Sequence, residues 1–262
     1  MHWIIQDNLH REDGFVSLLD TSERRAIPHD VVKVLPFSDH LDPAERMIPQ
    51  VNPAGPVMVS GSTGLSKIAK QRGWTPGSFL NENHDYRVWQ KHYGAHLLNA
   101  EARICRFADV EPVWSPFFLR PCDDSKAFAG TVIDWDSFRD WRRRVIDLNE
   151  TYTSLSGDTM VSYGPVKKIL REYRFFVVDG RVVTQSVYKI GPRVVYQPHV
   201  DGDAIAYAQS MVDLWQPARA FVIDVALTTE GHRVIEINCI NSAGFYAIDV
   251  QKFVAAIEAM EL

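Results

Sequence analysis

Three oxygen-bearing side chains, Asp224, Glu236 and Asn238, stand within one short stretch, Phe221 to Asn238. Two apolar, β-branched runs flank Thr229-Glu-Gly-His232, so the stretch reads as a β-hairpin. A three-residue turn, Thr229-Glu230-Gly231, with Gly231 at positive φ, pairs Thr228 with His232 and lays Asp224 opposite Glu236. The period of two then brings Asn238 to the same face. A two-residue turn would send Asp224 to the other face, away from Glu236 and Asn238. Like charges placed directly across a strand pair repel. Their convergence with an amide oxygen suits a hard divalent cation such as Mg²⁺, which takes oxygen ligands and shares its shell with phosphates. On spacing alone the other reading stays open, in which one carboxylate is a solvated charge on a half-exposed sheet.

A second hairpin carries the next group of charges. Asp179-Gly180 between β-branched runs calls for a two-residue type I′ turn, pairing Val178 with Arg181 and Arg174 with Gln185. Alternation then sets Glu172, Arg174 and Lys189 on one face and Phe175, Val177, Val182 and Thr184 on the other. The other reading of that charged face is the solvent side of the sheet. Upstream, Phe117-Phe-Leu-Arg120-Pro reads as a strand that Pro121 closes, leaving Arg120 at a strand end beside a cleft, with Lys126 on the loop beyond. Asn241 and Ser242 follow the last hairpin on a turn whose amides and short polar side chains suit a phosphate or carboxylate oxygen.

The elements that must position these groups fit a chain of 262 residues, 46% hydrophobic and 23% charged, enough for one large domain or two smaller ones. A net charge of −5 without a long basic run argues against nucleic acid as a partner. The arginines at 139, 142, 143 and 144 alternate with Asp136 and Asp140 and read as a solvated helix face. Cys105, Cys122 and Cys239 form no CxxC and no even framework, which points to a reducing compartment without structural zinc. Neither a signal peptide nor an apolar run near the ~20 residues of a membrane span is evident. The expectation is a cytoplasmic protein with no membrane partner.

In chain order, Trp3-Ile-Ile, Val31–Leu35 and Pro56–Val59 read as strands of a small α/β layer. Gly61-Ser-Thr-Gly-Leu-Ser-Lys67 resembles a phosphate loop but has Ser66 where the second glycine belongs and Ile68 in place of the hydroxyl residue, so it reads as a strand-to-helix turn. His92 and His96, spaced i, i+4, read as packing or surface residues, and Trp89, Tyr93 and Leu97 as a core stripe. Helices are expected over Phe138–Asn149, Asp201–Gln216 and Ile248–Leu262, and a short strand over Thr159–Tyr163.

The succession Phe118-Leu-Arg120-Pro with Lys126 and Gly130, Glu172-Tyr-Arg174-Phe with Lys189, Asp224 with Glu236-Ile-Asn238, and Asn241-Ser-Ala-Gly-Phe-Tyr246 resembles the ATP-grasp superfamily, and within it the arginine-to-lysine clade. The likeness runs from about Val113 to the C-terminus. It implies an α+β ATP-grasp fold, with two α+β lobes clamping ATP behind a small N-terminal α/β domain. The boundaries expected are 1–100 for that domain and 101–262 for the ATP-grasp domain, with the smaller lobe at about 113–160 and the C-terminal lobe at about 161–262. By this resemblance Asp224, Glu236 and Asn238 would hold Mg²⁺. Arg120, Lys126, Glu172, Arg174, Asn241 and Ser242 would bind the nucleotide, and Arg174 and Lys189 would serve catalysis, Lys189 standing where many members carry arginine. The family's Asn-x-x-Pro-Gly tail appears here without the proline.

The activity this implies is an ATP- and Mg²⁺-dependent carboxylate–amine ligase acting through an acyl phosphate and releasing ADP and phosphate. Its substrates would be a carboxylate and an amine on a small molecule, a peptide or a protein. Arginine's planar fork suits phosphate, and phosphoryl transfer needs positioning and charge neutralisation above all. Alternatives are a phosphotransferase that stops at a phosphorylated product, and a nucleotide-binding protein without turnover. In the loop from Gly191 to Gly202, Arg193 and His199 are candidate substrate contacts.

Overall fold

The structure, a computed structural model, describes residues 1–7, 13–34, 55–123, 127–148 and 155–261. Its strands fall into three sheets. The first is parallel, in the order β2-β1-β3-β4, from β1 (His2–Gln6), β2 (His29–Val32), β3 (Val57–Ser60) and β4 (Pro76–Gly77). Trp3, Ile4 and Ile5 on central β1 are all buried, as expected of a parallel strand covered on both faces. The helices α1 (Asp13–Arg24) and α2 (Thr63–Gln71) flank this sheet, and Ser62 caps α2 by accepting from the Leu65 N–H. Gly61-to-Lys67 is therefore a strand-to-helix turn. At Gly61 a Cβ would lie 2.6 Å from that of Gln6, so only glycine fits the crossing.

The short α3 (Tyr86–Tyr93) ends at Gly94, whose φ is 48°, so His96 lies beyond the helix and does not share a face with His92. His92 instead stacks on Trp215, ring centroids 4.2 Å apart. Trp89, Tyr93 and Leu97 are buried in the core.

The second sheet, antiparallel, has the order β5-β8-β6-β7, from β5 (Arg103–Arg106), β6 (Phe117–Pro121), β7 (Thr131–Ile133) and β8 (Met160–Pro165). Its strands thus begin ahead of the motif at Val113. Along β6, Phe117, Leu119 and Pro121 turn inward, where Phe117 meets Phe138 on α4 (Trp135–Leu148), while Phe118 and Arg120 face the opposite way, into a cleft.

The third sheet, order β11-β10-β9-β12-β13, forms the other side of that cleft, from β9 (Arg171–Val178), β10 (Arg181–Ile190), β11 (Arg193–Gln197), β12 (Ala220–Thr228) and β13 (Gly231–Asn238). Its central strands are covered on both faces. Tyr173, Phe175 and Val177 pack toward α5 (Gly202–Leu214), and Phe176 and Val178 toward α6 (Val250–Glu258). The charged face of β9 is therefore no solvent face. Its outer half is apolar core, and its charged half is roofed by the second sheet.

Both hairpins differ from their expected register, and bulges account for the difference. In β9–β10 the Asp179-Gly180 turn forms with both residues at positive φ, and Val178 pairs with Arg181 as expected. Irregularities after Val182 and after Val187 then each admit one extra residue, so Arg174 faces Ser186 rather than Gln185 and Lys189 comes directly opposite Glu172. Thr184 in turn joins the α6 side, where it accepts the Asp249 N–H.

In β12–β13 the turn holds two residues, since Thr228 pairs with Gly231 and not with His232. Taken alone that would carry Asp224 to the wrong face. A bulge at Ile235, between the pairs Val225–Val234 and Asp224–Glu236, restores the opposition.

Candidate active site

A cavity of about 830 Å³ lies between the second and third sheets, with Arg120, Glu172, Arg174, Lys189, Asp224, Glu236, Asn238 and Ser242 among its lining residues. Each polar group arrives from a defined strand position. Asp224 and Arg174 are register partners on adjacent strands, and the guanidinium meets the carboxylate with both prongs, Nε at 2.9 Å and Nη2 at 2.7 Å. Asp224 is 0% and Arg174 7% exposed. Arg174 also donates Nη1 to the Gly244 carbonyl at 3.2 Å and lies 4.6 Å from the ring centre of Tyr246.

Glu236 stands across from Asp224 and opens to the cavity, 3.1 Å from Arg120 Nη1 and 4.0 Å from Arg174 Nη2. The Asn238 amide reaches both acids, at 3.1 Å from Glu236 and 3.5 Å from Asp224.

The two acids are not equivalent. Burial pushes the Asp224 carboxyl up to about 7, and the charge of Glu236 adds to that push against the pull of Arg174. Burial also pushes Glu236 upward, but Arg120, the Asn238 amide and Arg174 outweigh it and hold the group below the usual carboxylate range. Two acids facing each other on the cavity wall supply hard carboxylate oxygens, and the Asn238 amide beside them turns its N–H₂ to both and would offer a third oxygen on rotating end for end. These residues fit a Mg²⁺ ion. Among the described residues no cluster of three histidine, cysteine or acidic side chains offers an alternative metal site.

A second group sits at one side. Glu172, 8% exposed, lies 2.8 Å from Lys189 Nζ and accepts the Tyr188 hydroxyl at 2.9 Å. Tyr188 is the residue displaced by the second bulge of β10, and its ring stacks on Tyr246 at 5.2 Å. Burial, with Asp224 and Glu172 close by, raises its hydroxyl well above the ordinary value. Sequence reasoning gives neither tyrosine a role. Tyr188 becomes a cavity residue through the bulge. Tyr246, at φ 52°, has only its place in the terminal motif as a signal.

Other expected site residues are placed differently. The Asn241 side chain is turned away from the cavity. Its Nδ2 donates to the carbonyls of Val59 at 2.7 Å and Gly77 at 3.3 Å, and its Oδ1 accepts the Phe79 N–H at 2.8 Å. With those bonds made, the amide bolts the first sheet to the turn behind the acids and has no capacity left for a phosphate. Ser242 lines the cavity as expected. Arg193 and His199 are exposed and are not among the cavity's lining residues. Lys126 lies outside the described residues.

Two lobes closing on a cleft, with acids on one and a basic strand end on the other, define an ATP-grasp fold, and solved structures share it. D-cycloserine synthetase DcsG matches with a TM-score of 0.64 at 13% identity, over 98% of each chain. D-alanine–D-alanine ligase from Bacillus anthracis, complexed with ATP, matches at 0.60 and 10% identity, over 98% of this chain and 96% of that one. The ATP-grasp ligase PsnB, complexed with precursor peptide PsnA2 and AMPPNP, matches at 0.56 and 13%, over 98% and 96%. No curated protein matches the chain. The family is fixed by sequence: the model for the ATP-grasp domain of the arginine-to-lysine clade, family 3, matches residues 29–257, and the chain belongs to that family. Among the described residues no helix is long and apolar enough to cross a membrane.

Proposed function

We propose that this protein is an ATP- and Mg²⁺-dependent carboxylate–amine ligase. The observation that carries the reading is the direct opposition of Asp224 and Glu236, one fully and one partly buried, each matched by an arginine, on the wall of an inter-sheet cavity. Opposed acids destabilise a sheet unless a cation answers them. The structural neighbours are ligases, and those solved with ATP and AMPPNP support the choice of nucleotide.

In this reading Asp224, Glu236 and Asn238 hold Mg²⁺, which when bound neutralises phosphate charge and aligns the leaving group. Arg120 binds phosphate oxygens from the second sheet. Arg174 faces the transferring γ-phosphoryl group with its remaining N–H donors, and Lys189 stands beside it, oriented by Glu172. An oxygen of the substrate carboxylate attacks the γ-phosphorus, the bond to the β-phosphate oxygen breaks, and ADP leaves. The amine nitrogen then attacks the acyl carbon, the carbon–oxygen bond to phosphate breaks, and the amine gives up a proton. Most of the acceleration in such a transfer comes from positioning and preorganised charge, which these side chains supply.

Incubation with ATP, Mg²⁺ and pooled amino acids tests this, with hydroxylamine as a trapping amine. ADP and a hydroxamate should form only when a carboxylate is present. A stable phosphorylated small molecule with no new amide would identify a phosphotransferase instead. Thermal stabilisation by ATP with no ADP formed would identify a binding protein.

A further inference from the structure

Each of the opposed acids already has an arginine counter-ion, and the two arginines are anchored differently. Arg174 and Asp224 are neighbours within one sheet, joined by two hydrogen bonds, with a third from Arg174 to Gly244. Opening or closing the cleft does not alter that pair. Arg120 belongs to the other sheet and reaches across the cavity to Glu236, 3.1 Å away. Its guanidinium lies 5.4 Å from the ring centre of Trp89, a fully buried residue of α3. Among the described residues its Nε makes only a long bond, 3.4 Å, to the adjacent Pro121 carbonyl. Among the described residues Arg120 is thus held by an aromatic face and one acid, and it is the more exposed of the two arginines, with 18% of its side chain open against 9% for Arg174.

We propose that Arg120, seated on Trp89, is a nucleotide-released counter-ion for Glu236 that makes cation binding conditional on nucleotide binding. The inference rests on the reading of the cleft as a Mg²⁺–nucleotide site. Without nucleotide, a divalent ion approaching Asp224 and Glu236 meets a guanidinium on the same carboxylate, and like charges at that range repel strongly in a partly desolvated site. A polyphosphate entering the cleft offers Arg120 better-matched oxygens. The guanidinium turns toward it, keeping its contact with the Trp89 face, and Glu236 is freed for the cation as the nucleotide arrives. Trp89 acts here as a positioning residue, since it limits how far Arg120 can move and keeps both partners in reach.

The test is Mn²⁺ binding, read from the free-ion electron paramagnetic resonance signal, with the full-length protein and no substrate. Without nucleotide, Arg120→Gln and Arg120→Met should bind Mn²⁺ at least tenfold more tightly than the parent, and Arg120→Lys, which keeps the charge, should behave as the parent. Adding ADP should raise Mn²⁺ affinity much more in the parent than in either neutral variant. Equal nucleotide-free affinity in the parent and both neutral variants overturns the proposal. Failure of the wider reading looks different: the parent would then bind no Mn²⁺ even with ADP present.

Discussion

Replacing Asp224 by asparagine should stabilise the nucleotide-free protein at neutral pH while abolishing the proposed chemistry. The carboxyl titrates near 7 in the folded protein against 3.8 in the unfolded chain. Between those values the folded state retains a proton that the unfolded state has released. Its contribution to stability is therefore fully present below the unfolded value and is lost as pH rises through the folded one. The loss amounts to 1.36 kcal/mol for each unit between 7 and 3.8, or roughly 4 kcal/mol. Asparagine is isosteric with the neutral acid and does not titrate, so it escapes this loss. It presents an N–H₂ where Arg174 expects an acceptor, which gives back about 1–3 kcal/mol. The net expectation is a variant about 1–3 kcal/mol more stable than the parent above pH 7, with the difference changing sign as pH falls and leaving the variant about 1–3 kcal/mol less stable toward pH 4. Urea denaturation across that range measures it. A variant no more stable than the parent at pH 8, with a difference that does not change with pH, would refute the argument. The same variant should form ADP at least a hundredfold more slowly, the cost expected when one side chain stabilising transition-state charge is removed. Stability and activity would then move in opposite directions at one residue.

Three further outcomes follow from the geometry. Because a cation needs the ionised acid, Mn²⁺ affinity of the nucleotide-bound protein should fall as pH drops below about 7, approaching tenfold per unit; a titration with no pH dependence from pH 5.5 to 7.5 would count against Asp224 as a ligand. Asn241→Ala leaves the carbonyls of Val59 and Gly77 and the Phe79 N–H without their partner; it should cost about 3 kcal/mol or more in urea denaturation and leave the KM for ATP of the folded protein unchanged. Glu172→Gln keeps an acceptor for Tyr188 but removes the charge facing Lys189; kcat should fall at least tenfold while stability drops by only about 1 kcal/mol, which separates a positioning effect from unfolding.

The chemistry was legible in the sequence to the extent that it depended on residue type and strand alternation. Pro121, closing an apolar strand, placed Arg120 at a strand end beside the cleft, and period-two patterning grouped Glu172 with Arg174. The turn at Asp179-Gly180 could be read because only residues tolerant of positive φ form it. Register beyond the turns could not be read in the same way. A bulge has no residue signature of its own: Val183, Tyr188 and Ile235 are ordinary strand residues, and the surplus each introduces follows from twist and packing across the sheet. The face expected for Asp224 was thus reached with the wrong turn length, a two-residue turn and a bulge giving what a three-residue turn would have given. Asn241 was misplaced for a related reason. A polar residue just past a motif looks functional, whereas its real partners, Val59, Gly77 and Phe79, lie more than 160 positions away along the chain. Long-range hydrogen bonds of that kind leave no local trace.

The surplus residue at Ile235 lies between the paired acids and the Thr229-Glu230 turn. It acts as a slip joint, so that alignment of the acids is set on one side of it and turn length on the other. The tip of this hairpin is consequently a place where a short peptide or fluorophore could be spliced in while the acids stay in step. Deleting Ile235 would remove the joint and keep Val225–Val234 and Asp224–Glu236 as partners, so the acids would stay opposed on a straighter strand whose register depends on the turn alone.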